Sequence, residues 1–208
     1  MRPSLVIFDL DGTLADSFPW FLRNLNGVAD RFGFRRVGED EIEPLRHMGS
    51  RAILKSLNVP LWKLPRIGNH MRGMKAAADI PLFAGTETML RALKDGGIRL
   101  ALVSSDNEAN ARRQLGAENA ALFSDFGCGA SIFGKAAKFR RVIRRAGIAP
   151  GQALAIGDET RDIEAARAAG IACAAVTWGY AAPQALRGHA PDMVFDRIED
   201  IGLALLAR

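Results

Sequence analysis

The chain is poor in the residues that usually carry redox, thiol or imidazole chemistry. Among 208 residues there are two cysteines and three histidines. Cys128 and Cys173 show neither metal-type spacing nor the density of a secreted disulfide scaffold, so both are expected to be reduced and structural. His47, His70 and His189 are scattered and fall in none of the motifs described below, which argues against a histidine-based metal site or triad. A long uncharged apolar run is also missing, and with it the signature of a membrane span. The N-terminus runs into a strand pattern rather than a signal peptide, so a cytoplasmic location and no membrane partner are expected. No internal repeat, low-complexity tract or coiled-coil heptad stands out.

What is present is an ordinary globular composition, 49% hydrophobic and 25% charged, long enough for one large domain or one domain with a modest insertion. The formal net charge of +5 would permit nucleic-acid contact. Its distribution argues otherwise. Residues 16 to 81 carry eleven Lys and Arg against seven Asp and Glu, and none of them forms a dense basic run. Such a field attracts a small anion, or belongs to a solvated helical surface; no nucleic-acid partner is expected.

The most informative stretch is Leu5-Val-Ile-Phe-Asp-Leu-Asp-Gly-Thr13, in which Asp9 and Asp11 follow an apolar run that reads as a buried strand. A strand in an α/β sheet delivers its last side chains to the carboxyl edge, where ligands bind. Two carboxylates two residues apart repel each other unless a cation lies between them. Asp-Gly after an apolar run also opens many hairpins, so this stretch alone does not decide. Distant segments add weight. Ser104 and Ser105 follow a second run, Leu100-Ala-Leu-Val103, and Gly157-Asp-Glu-Thr-Arg-Asp162 follows a third, Ala153-Leu-Ala-Ile156. Between them, Gly134 and Lys135 precede a helical pattern.

From Asp16 to about Pro81 the punctuation is helical. Ser17 is placed to cap a helix whose apolar face is Phe18, Phe21, Leu22, Leu25 and Val28, ending near Gly33. Further helical pieces are expected at Asp40 to His47, Ser50 to Leu57 and Pro60 to Ala78. After Pro81, helices and strands alternate, the signature of βαβ units and a parallel sheet. Helices are expected over Thr86 to Lys94, Ala136 to Arg145, Arg161 to Ala168 and Ile198 to Leu206. The strands between them fall at Arg99 to Val103, from Ala153, at Ala172 to Thr177 and at Met193 to Phe195.

These segments, in this order, make the chain resemble the haloacid dehalogenase-like (HAD) superfamily of phosphohydrolases over almost its whole length. It is most similar to the phosphoglycolate phosphatase-like branch. The strand with Asp9 to Thr13 matches the first motif and Gly157 to Asp162 the fourth, a specific combination; a serine after a strand or a lone lysine is weak by itself. The resemblance implies an α/β fold, a doubly wound parallel sheet forming a Rossmann-like HAD core from residues 1–15 and 82–208. An all-helical cap would be inserted at 16–81.

For the site, the resemblance implies Asp9 as nucleophile and Asp11 as general acid and base. Gly12 would permit the sharp turn after the strand, and Ser104, Ser105 and Lys135 would hold the phosphoryl group. It implies Mg²⁺ bound by Asp9, the main-chain carbonyl of Asp11 and Asp158, with Asp162 supporting. Lys138 competes with Lys135, which is favoured because it stands in the loop before the helix. The implied activity is Mg²⁺-dependent hydrolysis of a small, phosphoglycolate-like phosphomonoester through an aspartyl-phosphate. The partner would be a small phosphorylated metabolite, and the protein a monomer or homodimer.

A sugar phosphomutase and a non-catalytic phosphate-binding regulator remain as alternatives. A dehalogenase is disfavoured by Asp11, and a receiver-like signalling domain by the large insertion. In the insertion, Trp20, Arg46 and Arg51 are candidates to read the leaving group. Arg51 with Ser50, near a helix start, either binds an acidic substrate group or is solvated surface.

Overall fold

The computed structural model describes residues 2–129 and 134–207. At its centre lies β1 (Leu5–Phe8), whose four side chains are all fully buried. A strand covered on both faces has no polar side to show, which is why this segment reads as an unbroken apolar run. On one side β1 pairs with β2 (Arg99–Val103), and beyond it lies β3 (Phe123–Gly127). On the other side stand β4 (Ala153–Gly157), β5 (Ala172–Val176) and β6 (Met193–Phe195). All pairings are parallel and the order is β3-β2-β1-β4-β5-β6. The chain order therefore reverses at β1, the switch point where ligands bind in doubly wound sheets.

The period-2 alternation of strand side chains sorts the core into two layers. Val6, Phe8, Leu100, Leu102, Leu154 and Ile156 face α5 (Thr86–Asp95), α6 (Glu108–Leu122) and α10 (Ile198–Leu206). Leu5, Ile7, Ala101, Val103, Ala153 and Ala155 face α7 (Lys135–Ala146), α8 (Thr160–Ala169) and α9 (Pro183–Gly188).

Between β1 and α5 the chain makes a helical excursion: α1 (Phe18–Phe32), α2 (Glu39–Arg46), α3 (Ser50–Ser56) and α4 (Leu64–Lys75), the last preceded by a 3₁₀ turn at Leu61–Lys63. Its departure and return are stitched together. Asp16 N–H donates to Pro81 O (2.9 Å) and Phe83 N–H to Leu14 O (2.9 Å). The excursion has its own small apolar cluster, in which only Val37, Leu57 and Val59 are buried, with Leu25, Ile42, Leu45 and Ile53 packed around them. Among the described residues no helix is long and apolar enough to cross a membrane.

Three elements escape the sequence reading: α6, β3 and α9. Helix α6 is rich in Ala rather than striped, and is broken at Gly116, whose φ of 77° no helix accommodates. Strand β3, Phe-Ser-Asp-Phe-Gly, lies at the sheet edge and lacks the apolar continuity of its neighbours. Two local expectations are corrected. Ser17 does not cap α1: its backbone is already helical (φ −89°, ψ −10°) and its hydroxyl bonds the Tyr180 hydroxyl at 3.0 Å. Lys135 is the first residue of α7 rather than part of the preceding loop.

Candidate active site

Parallel register brings the ends of β1, β2 and β4 side by side. Phe8 lies opposite both Leu102 and Ile156, and Asp9 N–H still donates to Ile156 O at 2.9 Å. The residues just past these strands, Asp9, Ser104 and Asp158, therefore share one edge although the chain separates them by more than a hundred positions in total. Asp9, Asp158 and Asp162 are buried, and each offers one oxygen within 4.8 Å of the others.

All six carboxylate oxygens of this trio have a partner. Asp9 Oδ1 accepts Leu10 N–H at 2.8 Å, and Oδ2 lies 2.5 Å from Lys135 Nζ. Lys135 Nζ also donates to Asp162 Oδ1 at 2.5 Å, while Glu159 N–H donates to Asp162 Oδ2 at 3.1 Å. Asp158 Oδ1 accepts the Thr13 hydroxyl at 2.8 Å, and Oδ2 accepts Tyr180 N–H at 2.8 Å. Gly12 is required here twice over. Its φ is +74°, and a Cβ on it would overlap the Asp158 carboxylate.

Three buried carboxylates against one close ammonium leave negative charge uncompensated. Burial, only partly offset by Lys135 and reinforced by Asp162, pushes Asp9 up to about 6. Burial, with Glu159, Asp162 and Asp9 around it, also pushes Asp158 well above the usual carboxylate range. Burial works against the Lys135 charge, but Asp162 and Asp9 outweigh it and hold the ammonium above its ordinary value. An all-oxygen donor set with excess negative charge suits a hard divalent cation, and the trio is positioned to coordinate one, consistent with Mg²⁺.

The remaining expected residues are near but differently engaged. Ser104 Oγ accepts Asp106 N–H at 3.0 Å, which leaves its hydroxyl hydrogen free to donate elsewhere. Ser105 lines the cavity above the sheet edge. Lys138, the competitor of Lys135, donates to Ser104 O (2.7 Å) and Gly129 O (2.5 Å), tying the loops after β2 and β3 together rather than reaching the carboxylates. Asp11 stands apart from the trio. Both its oxygens accept Lys75 Nζ, at 2.5 and 2.7 Å, and the same ammonium lies 3.1 Å from Asp106 Oδ2.

Lys75 and Asp106 were not anticipated. Lys75 is one of eleven basic residues in the insertion, and nothing in its spacing marks it. Asp106 directly follows Ser104 and Ser105, so its position was visible though its partner was not. Tyr180 and Thr13 were also missed as holders of Asp158.

Over this edge lies a cavity of about 750 Å³, bounded on one side by Asp11, Ser105, Asp106, Thr160 and Arg161 and on the other by the helical insertion. The insertion's wall is mostly apolar, with Phe18, Trp20, Phe21, Leu25, Leu45 and Ile53. Of the expected leaving-group readers, Trp20 and Arg46 line the cavity and Arg51 does not. Arg46 is committed, donating to Tyr180 O (3.0 Å), Gly179 O (3.1 Å) and Glu43 (2.8 Å). Ser50 donates to Glu159 at 3.1 Å, joining α3 to the core.

Comparison with known proteins places this arrangement among hydrolases. The family model described as "Haloacid dehalogenase-like hydrolase" matches residues 6–176. A phosphoglycolate phosphatase of Synechococcus elongatus is 31% identical over 199 residues, covering 94% of both chains. A crystal structure described as a predicted phosphatase from Clostridium acetobutylicum superposes with a TM-score of 0.83 at 19% identity, covering 99% of each chain. Another, described as a predicted phosphoglycolate phosphatase from Haemophilus somnus, gives 0.76 at 25% identity over 100% of this chain and 99% of the other.

Proposed function

The chain belongs to the haloacid dehalogenase-like hydrolases, in the phosphoglycolate phosphatase-like branch, and from that premise we propose that it hydrolyses a small, phosphoglycolate-like phosphomonoester through Asp9. The observation that carries this reading is the trio of buried carboxylates, Asp9 and Asp158 from adjacent strand ends and Asp162 from the first turn of α8, with Lys135 bridging two of them.

In this reading Asp9 is the nucleophile. One of its oxygens bonds to phosphorus as the ester P–O bond breaks, and Asp11 protonates the departing alkoxide. Asp11 then takes a proton from the water that attacks the aspartyl-phosphate, releasing phosphate and restoring Asp9. Since Lys75 occupies both oxygens of Asp11, this contact opens on at least one oxygen when the proton moves. Ser104, Ser105 and Lys135 hold the phosphoryl oxygens, Lys135 supplying positive charge where negative charge concentrates. Asp9, the main-chain carbonyl of Asp11 and Asp158 would hold the metal; Asp162 steadies Lys135. When bound, Mg²⁺ neutralises charge on the carboxylates and on the phosphoryl group.

Residues 16–81 act as a cap over the core formed by 1–15 and 82–208, with the paired segments at Leu14–Asp16 and 81–83 as its hinge. The similarity to a phosphoglycolate phosphatase supports the substrate class, and the cap's apolar wall supports exclusion of water during transfer.

The test is phosphate release from a panel of phosphomonoesters, with Mg²⁺ and after exhaustive chelation. Mg²⁺-dependent release from phosphoglycolate, without any bisphosphate activator, is the expected result. Isomerisation of a sugar phosphate without net phosphate release would replace this reading by a phosphomutase. Full activity after chelation would remove the metal role of Asp158.

A further inference from the structure

One positive charge over the cleft has no task in the reading above. Among the described residues four cationic side chains line the cavity: Arg46, Arg72, Lys75 and Arg161. Arg46 is held by Glu43 and two carbonyls, Lys75 by Asp11 and Asp106, and Arg161 by Glu159. The Arg72 side chain makes no hydrogen bond or ion pair with any described residue. The acidic residues of the lining, Asp11, Asp106 and Glu159, are the same ones already paired with Lys75 and Arg161.

The position of Arg72 is nonetheless fixed. Its carbonyl accepts Asn110 Nδ2 at 2.9 Å, and the same nitrogen donates to Asp106 Oδ1 at 2.9 Å. One turn later, Lys75 O accepts Arg113 at 2.6 Å while Lys75 Nζ reaches Asp11. The end of α4 is thus clamped to the core beside the proposed acid–base residue. Gly68, one turn earlier, leaves room for the guanidinium: a Cβ there would stand 3.2 Å from Arg72 Nη1. A half-buried guanidinium facing an apolar wall gains from a carboxylate partner, which its planar fork can bind through two hydrogen bonds.

We propose that Arg72 is a specificity-determining residue that receives a carboxylate on the leaving-group side of the substrate. The favoured substrates are then phosphate esters of small hydroxy acids rather than of neutral alcohols. The proposal rests on the phosphatase reading and deepens it. The phosphoryl group is held at the sheet edge by Ser104, Ser105 and Lys135, and Arg72 holds the other end of the molecule.

The test compares kcat/KM for phosphoglycolate with that for its neutral near-isostere, 2-hydroxyethyl phosphate, in the Mg²⁺-loaded full chain. Wild type favours the acid. Arg72→Met lowers that preference by about tenfold to a hundredfold, the usual worth of a charged hydrogen-bonded contact, mainly through KM. Arg72→Lys recovers part of it, and Arg72→Glu lowers it further. A preference unchanged in both Arg72→Met and Arg72→Glu overturns the proposal.

Failure of the substrate reading looks different. If wild type hydrolyses 2-hydroxyethyl phosphate but not phosphoglycolate, phosphoglycolate is the wrong acid, and the same ratio measured with 3-phosphoglycerate decides Arg72 by the same criterion. If no ester is turned over, calorimetric binding of phosphoglycolate to the Asp9→Asn protein decides it. Weakening by about tenfold or more on adding Arg72→Met supports the role, and unchanged affinity overturns it.

Discussion

The two walls of the cleft are built to opposite specifications. On the sheet edge, Asp9, Asp158 and Asp162 are buried, all their carboxylate oxygens have a partner, and even a methyl group at Gly12 would collide with Asp158. Across the cavity, α2 and α3 bury no residue, and the cluster that holds the insertion together has only three buried members, none of them completely so. Phosphoryl transfer is sensitive to small displacements of its charged groups, and the groups proposed for it sit where parallel strands and tight packing fix them. Recognition of a leaving group tolerates variation, and the proposed function assigns it to helices that meet the core through polar side chains. From the insertion Lys75, Arg46 and Ser50 reach across that boundary, and from the core Asn110 and Arg113 bond back to carbonyls of the insertion.

The contrast is broken most severely at Asp9. Asp9→Asn removes the proposed nucleophile while keeping the shape, so phosphate release should fall by several orders of magnitude with circular dichroism and solubility preserved. Turnover within about tenfold of wild type would end the covalent scheme.

A second substitution attacks the boundary instead of either wall. Lys75→Met leaves Asp11 and Asp106 without their shared counter-charge at a buried position. Removing one partner from such a group should cost about 3 kcal/mol in urea unfolding, the lower end of the range for broken buried pairs. A loss below about 0.5 kcal/mol would show that the boundary contact is no more than a surface ion pair.

The smallest effect sharpens the account of the rigid wall. Asp9 titrates near 3.8 when free and at about 6 in the metal-free fold, and Asp158 is shifted in the same direction. Between those values the native state holds more protons than the unfolded chain. The contribution of these groups is therefore greatest at low pH and is lost as pH rises through about 6. The chelated protein should lose urea stability, relative to the Mg²⁺-loaded protein, as pH rises from about 4 to 7, because cation and proton compete for the same oxygens. A gap between the two forms that does not widen with pH would mean that the metal does not bind these carboxylates.

Much of this was legible in one dimension. Leu5 to Phe8 is apolar throughout because β1 is buried on both faces, and together with the runs ending at Val103 and Ile156 that placed Asp9 at a sheet edge. Helix α10 falls at Ile198–Leu206, as its periodicity indicates, and the strands from Arg99 and Ala153 begin where their apolar runs begin. Element β3 and helix α6 were hidden because an edge strand and an alanine-rich helix show weak periodicity. Local chemistry also misled at Ser17, whose spacing suits a cap but whose hydroxyl is taken by Tyr180, 163 positions away.

What the sequence determined by itself is the part governed by neighbours along the chain: strand, turn, and carboxylates just past the strand. Which lysine meets those carboxylates was decided only by the fold, since Lys135 and Lys138 are three residues apart on one helix yet reach different loops. The pairing of Lys75 with Asp11, and the lack of a partner for the Arg72 side chain among the described residues, belong to the same class. Charge pairing depends on distances of a few ångströms between segments far apart in sequence, and only the packed chain sets those distances.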